Sequence, residues 1–194
     1  MALGGIIRGK TTTLRTPAEP DLPAFAGWMA DMRVRSIGRV WHEPAMPATW
    51  KERLAEQSKD ARSVLWTIER DGATVGLVRI SLSTGVEAPP GAHVEQFIVD
   101  PDRWRTGIGW DAALALHRYL FDYLDLTRVD GSLRSDNAAA LRVAERLGYV
   151  EFAHGHEAFY RDGGHSDESW MIVERPVWEE RFANEREYAQ AASG

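Results

Sequence analysis

The sequence predicts an α/β (α+β) fold in which a mixed central sheet is flanked by helices on both faces. Two patterns lead to this prediction. Strand-like segments are bunched between residues 63 and 99, and beyond them strands alternate with helical segments, which is typical of one sheet covered by helices. The length of 194 residues favours a single domain over two.

The first third of the chain predicts one strand and two helices. Residues 11–15 are short and β-branched, which favours a strand. Apolar residues follow at helical spacing between residues 22 and 29. Residues 34–49 contain a glycine and two prolines without a clear period, so we expect a loop or a broken helix there. Residues 50–58 predict a short helix.

The middle of the chain predicts an antiparallel run of strands. Residues 63–69 and 73–80 are strand-like and are joined by an Asp-Gly turn, which is a strong short-range hairpin signal. Residues 85–91 contain two prolines and predict a loop. A further strand at 93–99 is closed by an Asp-Pro pair.

The second half predicts alternating helices and strands. A helix from about residue 107 to 124 is followed by a strand at 129–133. Asn137 starts a helix that runs to Leu147, and Gly148 then supplies a stop signal. The remaining chain predicts strands at 149–154, 157–160 and 169–173, a turn at 161–164, and a polar tail from residue 178 that is helical or frayed.

Composition excludes several functional classes. The 23 basic and 29 acidic residues give a net charge of −6, whereas a nucleic-acid binder usually has a basic excess. Neither an apolar run of about 20 residues nor a signal-peptide pattern is present. There is no cysteine, which excludes disulfides and thiolate chemistry. We therefore expect a cytoplasmic protein without nucleic-acid or membrane partners, whose acidic balance suits a cationic amine.

Residues 100–109 join a strand to a helix and contain Gly107 and Gly109. Glycines allow a tight turn and a close approach of a ligand to the backbone. The first N–H groups of a helix lack intrahelical partners and, with the helix dipole, favour an anion. Further donors lie beside the turn on Arg103, Arg105 and Thr106. A pyrophosphate is the natural guest of such a turn.

Other interpretations of this turn are an ordinary glycine-rich helix start and two common phosphate-binding motifs. A dinucleotide-binding fingerprint requires a third glycine, but Asp111 and Ala112 follow instead. A P-loop requires Gly-Lys-Ser/Thr, which is absent. The two rival motifs are therefore disfavoured, and an ordinary helix start stays open.

Three stretches taken together resemble the GNAT acetyltransferase superfamily, and most closely its RimJ/RimL-like branch. They are residues 97–112 with the turn Trp104 to Gly109, residues 137–149 with Asn137 and Leu-Gly-Tyr149, and residues 159–167 with an Arg-Asp-Gly segment. The resemblance covers roughly residues 8–180 and implies one GNAT-type domain over residues 1–194. Its mixed, mostly antiparallel sheet has helices on both faces, and a short tail follows from about residue 181.

The resemblance implies direct transfer from acetyl-CoA, or another acyl-CoA, to an amine, without an acyl-enzyme and without a metal. The protein's task is then orientation and charge stabilisation. By family pattern, the backbone of Phe97, Ile98 and Val99 holds the acyl carbonyl and pantetheine. The implied pyrophosphate-binding residues are Trp104, Arg105, Thr106, Gly107, Ile108 and Gly109. Asn137 contacts the pantetheine arm, is a plain N-cap, or does both.

A protonated amine must lose a proton before it attacks, so a base or a water chain is needed. By family pattern this base is Glu95. Strand alternation places His93, Glu95 and Phe97 on one face, so His93 and Glu95 could relay a proton. The alternative is a solvated strand face or a structural hydrogen bond.

The general acid is left unassigned by the sequence. Many GNAT enzymes have a tyrosine at the position occupied here by Ala144, and Ala140 replaces a serine common in the branch. Tyr149 and Tyr160 are weak substitutes, because core or turn positions suit them better. A thiolate leaves readily enough for water to protonate it.

By analogy, the acceptor-binding residues come from residues 34–50 and 157–170. We assign Trp41, His42, Tyr160 and His165 to this role, and aromatic walls suit a cationic amine. The leading hypothesis is acetyl transfer to the primary amine of a small molecule. The alternatives are N-terminal acetylation of a protein and a CoA-binding module without acetyl transfer. A homodimer is possible, and the role of Trp110 is open.

Overall fold

A computed structural model of the chain describes residues 5–38, 46–57, 59–83, 90–161 and 163–183. Within this part of the chain, eight strands and six α-helices follow one another in the order β-β-α-α-α-β-β-β-α-β-α-β-β-α. Their bounds are β1 Ile7–Arg8, β2 Thr13–Arg15, α1 Leu22–Ala30, α2 Met32–Ile37, α3 Pro47–Gln57, β3 Ser63–Arg70, β4 Ala73–Ser83, β5 Gly91–Val99, α4 Ile108–Arg118, β6 Arg128–Arg134, α5 Ala138–Leu147, β7 Val150–Arg161, β8 Gly164–Glu174 and α6 Arg175–Phe182.

The strands form one sheet in the order β1-β2-β3-β4-β5-β6-β8-β7. Every neighbouring pair is antiparallel except β5 and β6, which run parallel. The parallel pairing covers only Gly91–Val94 of β5. The predicted mixed, mostly antiparallel sheet is confirmed, and its central strand pair parts just before the turn that precedes α4.

Helices cover both faces of the sheet, as the sequence predicts. Side chains alternate along a strand, so Leu65 and Leu77 pack with α1 and α3, whereas their neighbours Trp66 and Val78 pack on the opposite face with α4. These four side chains are at most 6% exposed. Two apolar cores, one on each face, therefore hold the central strands in place.

Two helices differ from the sequence prediction. Helix α2 lies where a loop or broken helix is expected, and the Asp31 side chain caps it by accepting a hydrogen bond from the Arg33 N–H. Residues 39–45 lie outside the described part. The predicted helix to residue 124 is α-helical only to Arg118, and a wider π-turn over Tyr119–Tyr123 completes it, with Leu124 N–H bonding to the Tyr119 carbonyl.

The tail predicted to be helical or frayed from residue 178 is helical up to Phe182, and the helix, α6, begins three residues earlier, at Arg175. A proline in its first turn is a typical start signal. Trp178 is 2% exposed, stacks on Phe121 at 5.2 Å between ring centroids, and donates its indole N–H to Asp122. Strand β1 is missed by the sequence prediction, because two residues are too few for a periodic signal.

The core on the α4 side contains one buried polar pair. His117 is 3% exposed, its Nδ1 lies 2.7 Å from the Ala113 carbonyl, and its Nε2 lies 2.7 Å from the Tyr149 hydroxyl. A neutral ring satisfies both contacts, because Nδ1–H donates to the carbonyl and Nε2 accepts from Tyr149. Burial lowers the pKa of His117 to about 4 and raises that of Tyr149 well above its ordinary value.

This pair predicts acid sensitivity. The pKa of His117 is lower in the folded chain, about 4, than its ordinary 6.5, so the unfolded chain binds the proton more tightly. The His117 contribution is fully present above pH 6.5 and is lost as the pH falls toward 4. We expect acidification over this range to lower the free energy of unfolding by about 3 kcal/mol, because one unit of pKa difference corresponds to about 1.4 kcal/mol.

Urea unfolding between pH 7.5 and 4 measures this loss, and His117→Gln is the control. Glutamine keeps a hydrogen-bonding group opposite Tyr149 but does not titrate, so its unfolding free energy should fall less steeply over this range. Equal slopes for the two proteins would contradict the assignment.

Candidate active site

The turn between β5 and α4 has a backbone shape suited to an anion. Arg105 and Gly107 have positive φ values of 66° and 87°, and the first helical hydrogen bond runs from Asp111 N–H to the Gly107 carbonyl at 3.0 Å. The N–H groups of Ile108 and Gly109 therefore have no acceptor within the helix. A Cβ built on Gly107 would meet no atom within 4 Å, so the space on the side-chain side of Gly107, at the start of α4, is open.

Side chains at this turn brace its backbone. The Trp104 indole N–H donates to the Val99 carbonyl at 2.9 Å, and the Thr106 hydroxyl donates to the Arg103 carbonyl at 2.6 Å. In this geometry the Thr106 hydroxyl is used inside the turn, so its role as a donor for a ligand stays a prediction, as do those of Arg103 and Arg105.

Asp111 fixes the first turn of α4 to the β1–β2 hairpin. Its carboxylate accepts hydrogen bonds from the backbone N–H groups of Lys10, Thr11 and Thr12, and from both threonine hydroxyls, at 2.8–3.2 Å. Burial works against the charge, but the Thr11 N–H and its neighbours outweigh it and lower the pKa of Asp111. The sequence prediction missed this role, since the partners lie about 100 residues away.

Beyond Val94, β5 no longer pairs with β6, so one edge of β5 has no neighbouring strand in the described part of the chain. From Gln96 to Val99 the register of β5 is with β4 alone. This segment contains Phe97, Ile98 and Val99, which are the residues the sequence assigns to the acyl carbonyl and pantetheine. An extended ligand can therefore hydrogen-bond to this edge as a strand would.

A β-bulge at Glu95 changes which side chains share a face. Arg79 of β4 lies opposite Gln96 while Ile80 lies opposite Val94, so Glu95 is the extra residue. Phe97 packs on the α4 side, whereas His93, two residues before the bulge, points to the opposite face. The expectation that Phe97 shares a face with His93 is wrong, because the bulge breaks the alternation.

The two candidate bases have different partners. Glu95 Oε2 lies 2.6 Å from Arg79 Nε. His93 Nδ1 lies 2.6 Å from Asp130 Oδ1, because His93 and Asp130 are paired in the parallel register of β5 and β6. Among the described residues, His93 Nε2 has no hydrogen-bond partner. His93 and Asp130 therefore form a carboxylate–imidazole pair with one ring nitrogen available, an arrangement missed by the sequence prediction.

Asn137 and Ala144 lie on α5. Asn137 Oδ1 accepts the Ala140 N–H at 3.2 Å, so Asn137 is an N-cap. Ala144, which occupies the usual tyrosine position, is 8% exposed. Tyr149 is bonded to His117 in the core, as expected for a core residue. Helix α5 therefore carries no tyrosine that could act as the general acid.

Trp110 links α4 to α5. Its ring packs against the α4-side core, and the Arg146 guanidinium lies over it at 3.6 Å from the centroid. The contact is a cation–π interaction. Trp110 therefore holds together the two helices that carry the turn and Asn137.

Two of the predicted acceptor-binding residues, Trp41 and His42, lie outside the described residues. The other two are brought together on the β7–β8 hairpin, where Tyr160 is paired with His165. Their rings lie 5.0 Å apart, and Tyr160 is 56% exposed. The hairpin thus presents an aromatic pair to solvent.

An ion-pair cluster braces the same hairpin. His154 Nδ1 lies 2.9 Å from Glu151, and its Nε2 lies 3.1 Å from Asp167. His156 Nδ1 lies 3.2 Å from Asp167. The hydrogen bonds that His154 donates to the carboxylates of Asp167 and then Glu151 raise its pKa. Both ring nitrogens of His154 are thus already engaged with carboxylates.

A cleft of about 470 Å³ lies on the α3 side of the sheet. Its walls include Trp50 and Leu65 together with Arg79, the partner of Glu95. Three carboxylates of α3 and the following turn also line it, from Glu52, Glu56 and Asp60. The volume falls within the range of small-molecule sites. Arg53 also lines the cleft, and Glu56 and Asp60 are paired with Lys59 and Arg62, which leaves Glu52, among the described residues, as the lining carboxylate open to a cationic guest.

Comparison with known proteins gives a family. The model of the GNAT acetyltransferase domain matches residues 11–150. A mouse protein described as alpha/beta-tubulin-N-acetyltransferase 9 is 24% identical over 158 residues, which cover 75% of this chain and 64% of that protein. The match thus spans less than two thirds of the mouse relative's length.

Solved structures share the fold. Mycobacterium smegmatis RimJ, in complex with CoA-disulfide, superposes with a TM-score of 0.76 at 19% identity over 93% of this chain and 92% of that one. Vibrio cholerae spermidine N-acetyltransferase, in complex with CoA and spermine, gives 0.74 at 20% identity over 87% and 98%. In the described ranges, no helix is long and apolar enough to cross a membrane.

Proposed function

The chain belongs to the GNAT acetyltransferase family, and from that premise we propose that it transfers an acetyl group from acetyl-CoA to the primary amine of a small molecule. The observation that carries the choice of acceptor is the cleft of about 470 Å³ on the α3 side of the sheet. Its size suits a small ligand, and its carboxylate Glu52 would attract a cationic amine before transfer.

The residues around the turn fit the family's donor. The open space at Gly107 and the unpaired N–H groups of Ile108 and Gly109 would hold the pyrophosphate. The free edge of Phe97 to Val99 would align the pantetheine arm, with Asn137 beside it as proposed from the sequence. When bound, acetyl-CoA supplies the acetyl group as a thioester, and the chain's own residues orient it.

We assign the proton-accepting role to His93. Its free Nε2 removes the proton from the ammonium group, directly or through a water, while Asp130 holds Nδ1 and stabilises the charged ring that results. Glu95 is engaged with Arg79 and would have to give up that ion pair to accept a proton. The amine nitrogen then attacks the acetyl carbonyl and the C–S bond breaks, while a water carries the proton that the nitrogen loses to the departing thiolate.

A second candidate function is N-terminal acetylation of a protein. It is favoured by the mouse relative, which is described as a tubulin N-acetyltransferase. Because that similarity is 24% over part of the protein, we place it second.

The proposed function is tested by isothermal titration with CoA and by acetyl-transfer assays on two panels, small primary amines and peptides with free N-termini. We expect CoA binding and turnover of small amines. Turnover of peptides alone would replace the proposal with the second candidate. CoA binding without turnover on either panel would favour a CoA-binding module.

We expect Gly107→Ala to weaken CoA binding about tenfold or more, because its methyl group would enter the open space at the start of α4 and cost the equivalent of one hydrogen bond to a charged group. The positive φ also costs about 1 kcal/mol of stability. Isothermal titration measures the Kd. The control is Gly72→Ala, at φ 75° in a hairpin turn and likewise with no atom within 4 Å. The control should lose similar stability but bind CoA normally, and equal Kd values for both variants would contradict the site.

A further inference from the structure

Gln96 is a buried side chain that lacks partners. It lies on β5 beside the bulge, opposite Arg79, and is 6% exposed. Neither its Oε1 nor its Nε2 has a hydrogen-bond partner among the described residues. Arg79 Nε is also without a hydrogen bond, because its N–H is not directed at Glu95 Oε2 although the two atoms are 2.6 Å apart.

The surroundings make these unpaired atoms unusual. The neighbours of Gln96 and Arg79 on this face, Leu65, Leu77 and Ile98, belong to the apolar core shared with α1 and α3. Buried polar atoms are nearly always paired, because an unpaired one loses its hydration without compensation. The two amide atoms of Gln96 therefore indicate a partner from outside the chain, whereas Arg79 is held by its ion pair with Glu95.

The position of this pair suggests the partner. Arg79 lines the cleft assigned above to the amine, and both residues adjoin the segment of β5 that is free of β6. The Gln96 amide offers one acceptor and two donors. A carboxamide or peptide group matches this set, since its carbonyl accepts from the N–H donors while its own N–H donates to Gln96 Oε1. An alkyl ammonium group can only donate.

We propose that Gln96 determines acceptor specificity by binding a carboxamide or peptide-like group carried by the amine substrate. This inference rests on the proposed function, because it concerns the acceptor of the same transfer. It narrows the substrate class from primary amines in general to amines that carry an amide beside the amino group.

The test compares two small acceptors, glycinamide and its carbonyl-free analogue ethylenediamine, with the wild type and Gln96→Leu. We expect the wild type to favour glycinamide in kcat/KM by about tenfold or more, because a polar site rejects an analogue that leaves its groups unpaired. Gln96→Leu should lose most of this preference. Its Kd for CoA should be unchanged and its Tm should not fall, because leucine removes unpaired polar atoms from an apolar face.

An equal preference in both proteins, or no preference for glycinamide in the wild type, would overturn the role of Gln96. A lower Tm with an unchanged preference would assign it a structural role instead. If Gln96→Leu does not fold, Gln96→Glu serves, because it keeps the size but lacks the N–H donors and should also lose the preference. A wild type that binds CoA yet acetylates neither acceptor nor any other amine would defeat the proposed function itself, whereas an unchanged preference in active enzymes defeats only this inference.

Discussion

We expect His93→Gln to lower kcat for acetyl transfer by about 10²- to 10³-fold, the range that a positioned general base contributes. Glutamine approximates the size of the ring but cannot accept the proton from the amine. Since His93 lies on the face opposite α4 and its turn, the Kd for CoA should be unchanged. Steady-state kinetics with an amine from the active panel and isothermal titration with CoA measure the two quantities.

Asp130→Asn and Glu95→Gln separate the possible proton acceptors. Asp130 holds His93 Nδ1 and does not itself touch the amine in this proposal, so its loss should lower kcat less than His93→Gln does. Glu95→Gln keeps the shape of the bulge and should leave kcat within a few-fold of the wild type. A large loss in Glu95→Gln with near-normal activity in His93→Gln would transfer the proton-accepting role to Glu95.

The local features of the candidate site, each formed by residues close together in the chain, were predictable from the sequence. The turn before α4 and the Asn137 cap depend on residues a few positions apart, and glycine and asparagine carry direct conformational signals there. The expected alternation of strands and helices is confirmed for the same reason, because each element has its own periodicity.

The contacts that the sequence could not predict join distant residues. The pairing of His93 with Asp130 depends on the register of two strands 37 residues apart. The bulge at Glu95 is visible only against β4, since an extra residue in one strand has meaning only beside its partner. The tie from Asp111 to the N-terminal hairpin likewise exists only after folding. Such contacts have no local signal, so the face of Phe97 was predicted wrongly.

Asp21 is the buried charge on which the attachment of α1 depends. It is 2% exposed and accepts hydrogen bonds from both Arg15 Nη atoms, the Thr67 and Thr74 hydroxyls, and the Ala18 N–H. Burial disfavours the charge, but Arg15, followed by Thr74, outweighs it and holds the pKa of Asp21 well below its usual range. One carboxylate thus ties β2, β3 and β4 to the start of α1.

We expect Asp21→Ala to lower the free energy of unfolding by about 3–5 kcal/mol, the usual cost of removing one partner of a buried ion pair. The two Nη groups of Arg15 and two threonine hydroxyls would lose this acceptor, while Arg15 Nε keeps its bond to Glu69. The matched control is Glu19→Gln, whose ion pair with Lys51 at 2.9 Å is 76% and 70% exposed on its two sides, so its loss should change the free energy of unfolding little. Urea unfolding at pH 7 measures both, and similar losses in the two variants would contradict a structural role for Asp21.

The pH dependence of unfolding in the wild type and in Asp21→Ala sharpens this test. Because the folded chain holds the pKa of Asp21 below its ordinary value, its contribution is fully present above about pH 4 and is lost as the pH falls further. His117 acts in the window above, between pH 6.5 and 4. The wild type should therefore lose stability in two successive ranges on acidification. Asp21→Ala should still lose the stability assigned to His117 between pH 6.5 and 4. It should lack the further loss assigned to Asp21 below pH 4, because Asp21 and His117 lie on opposite faces of the sheet and titrate independently.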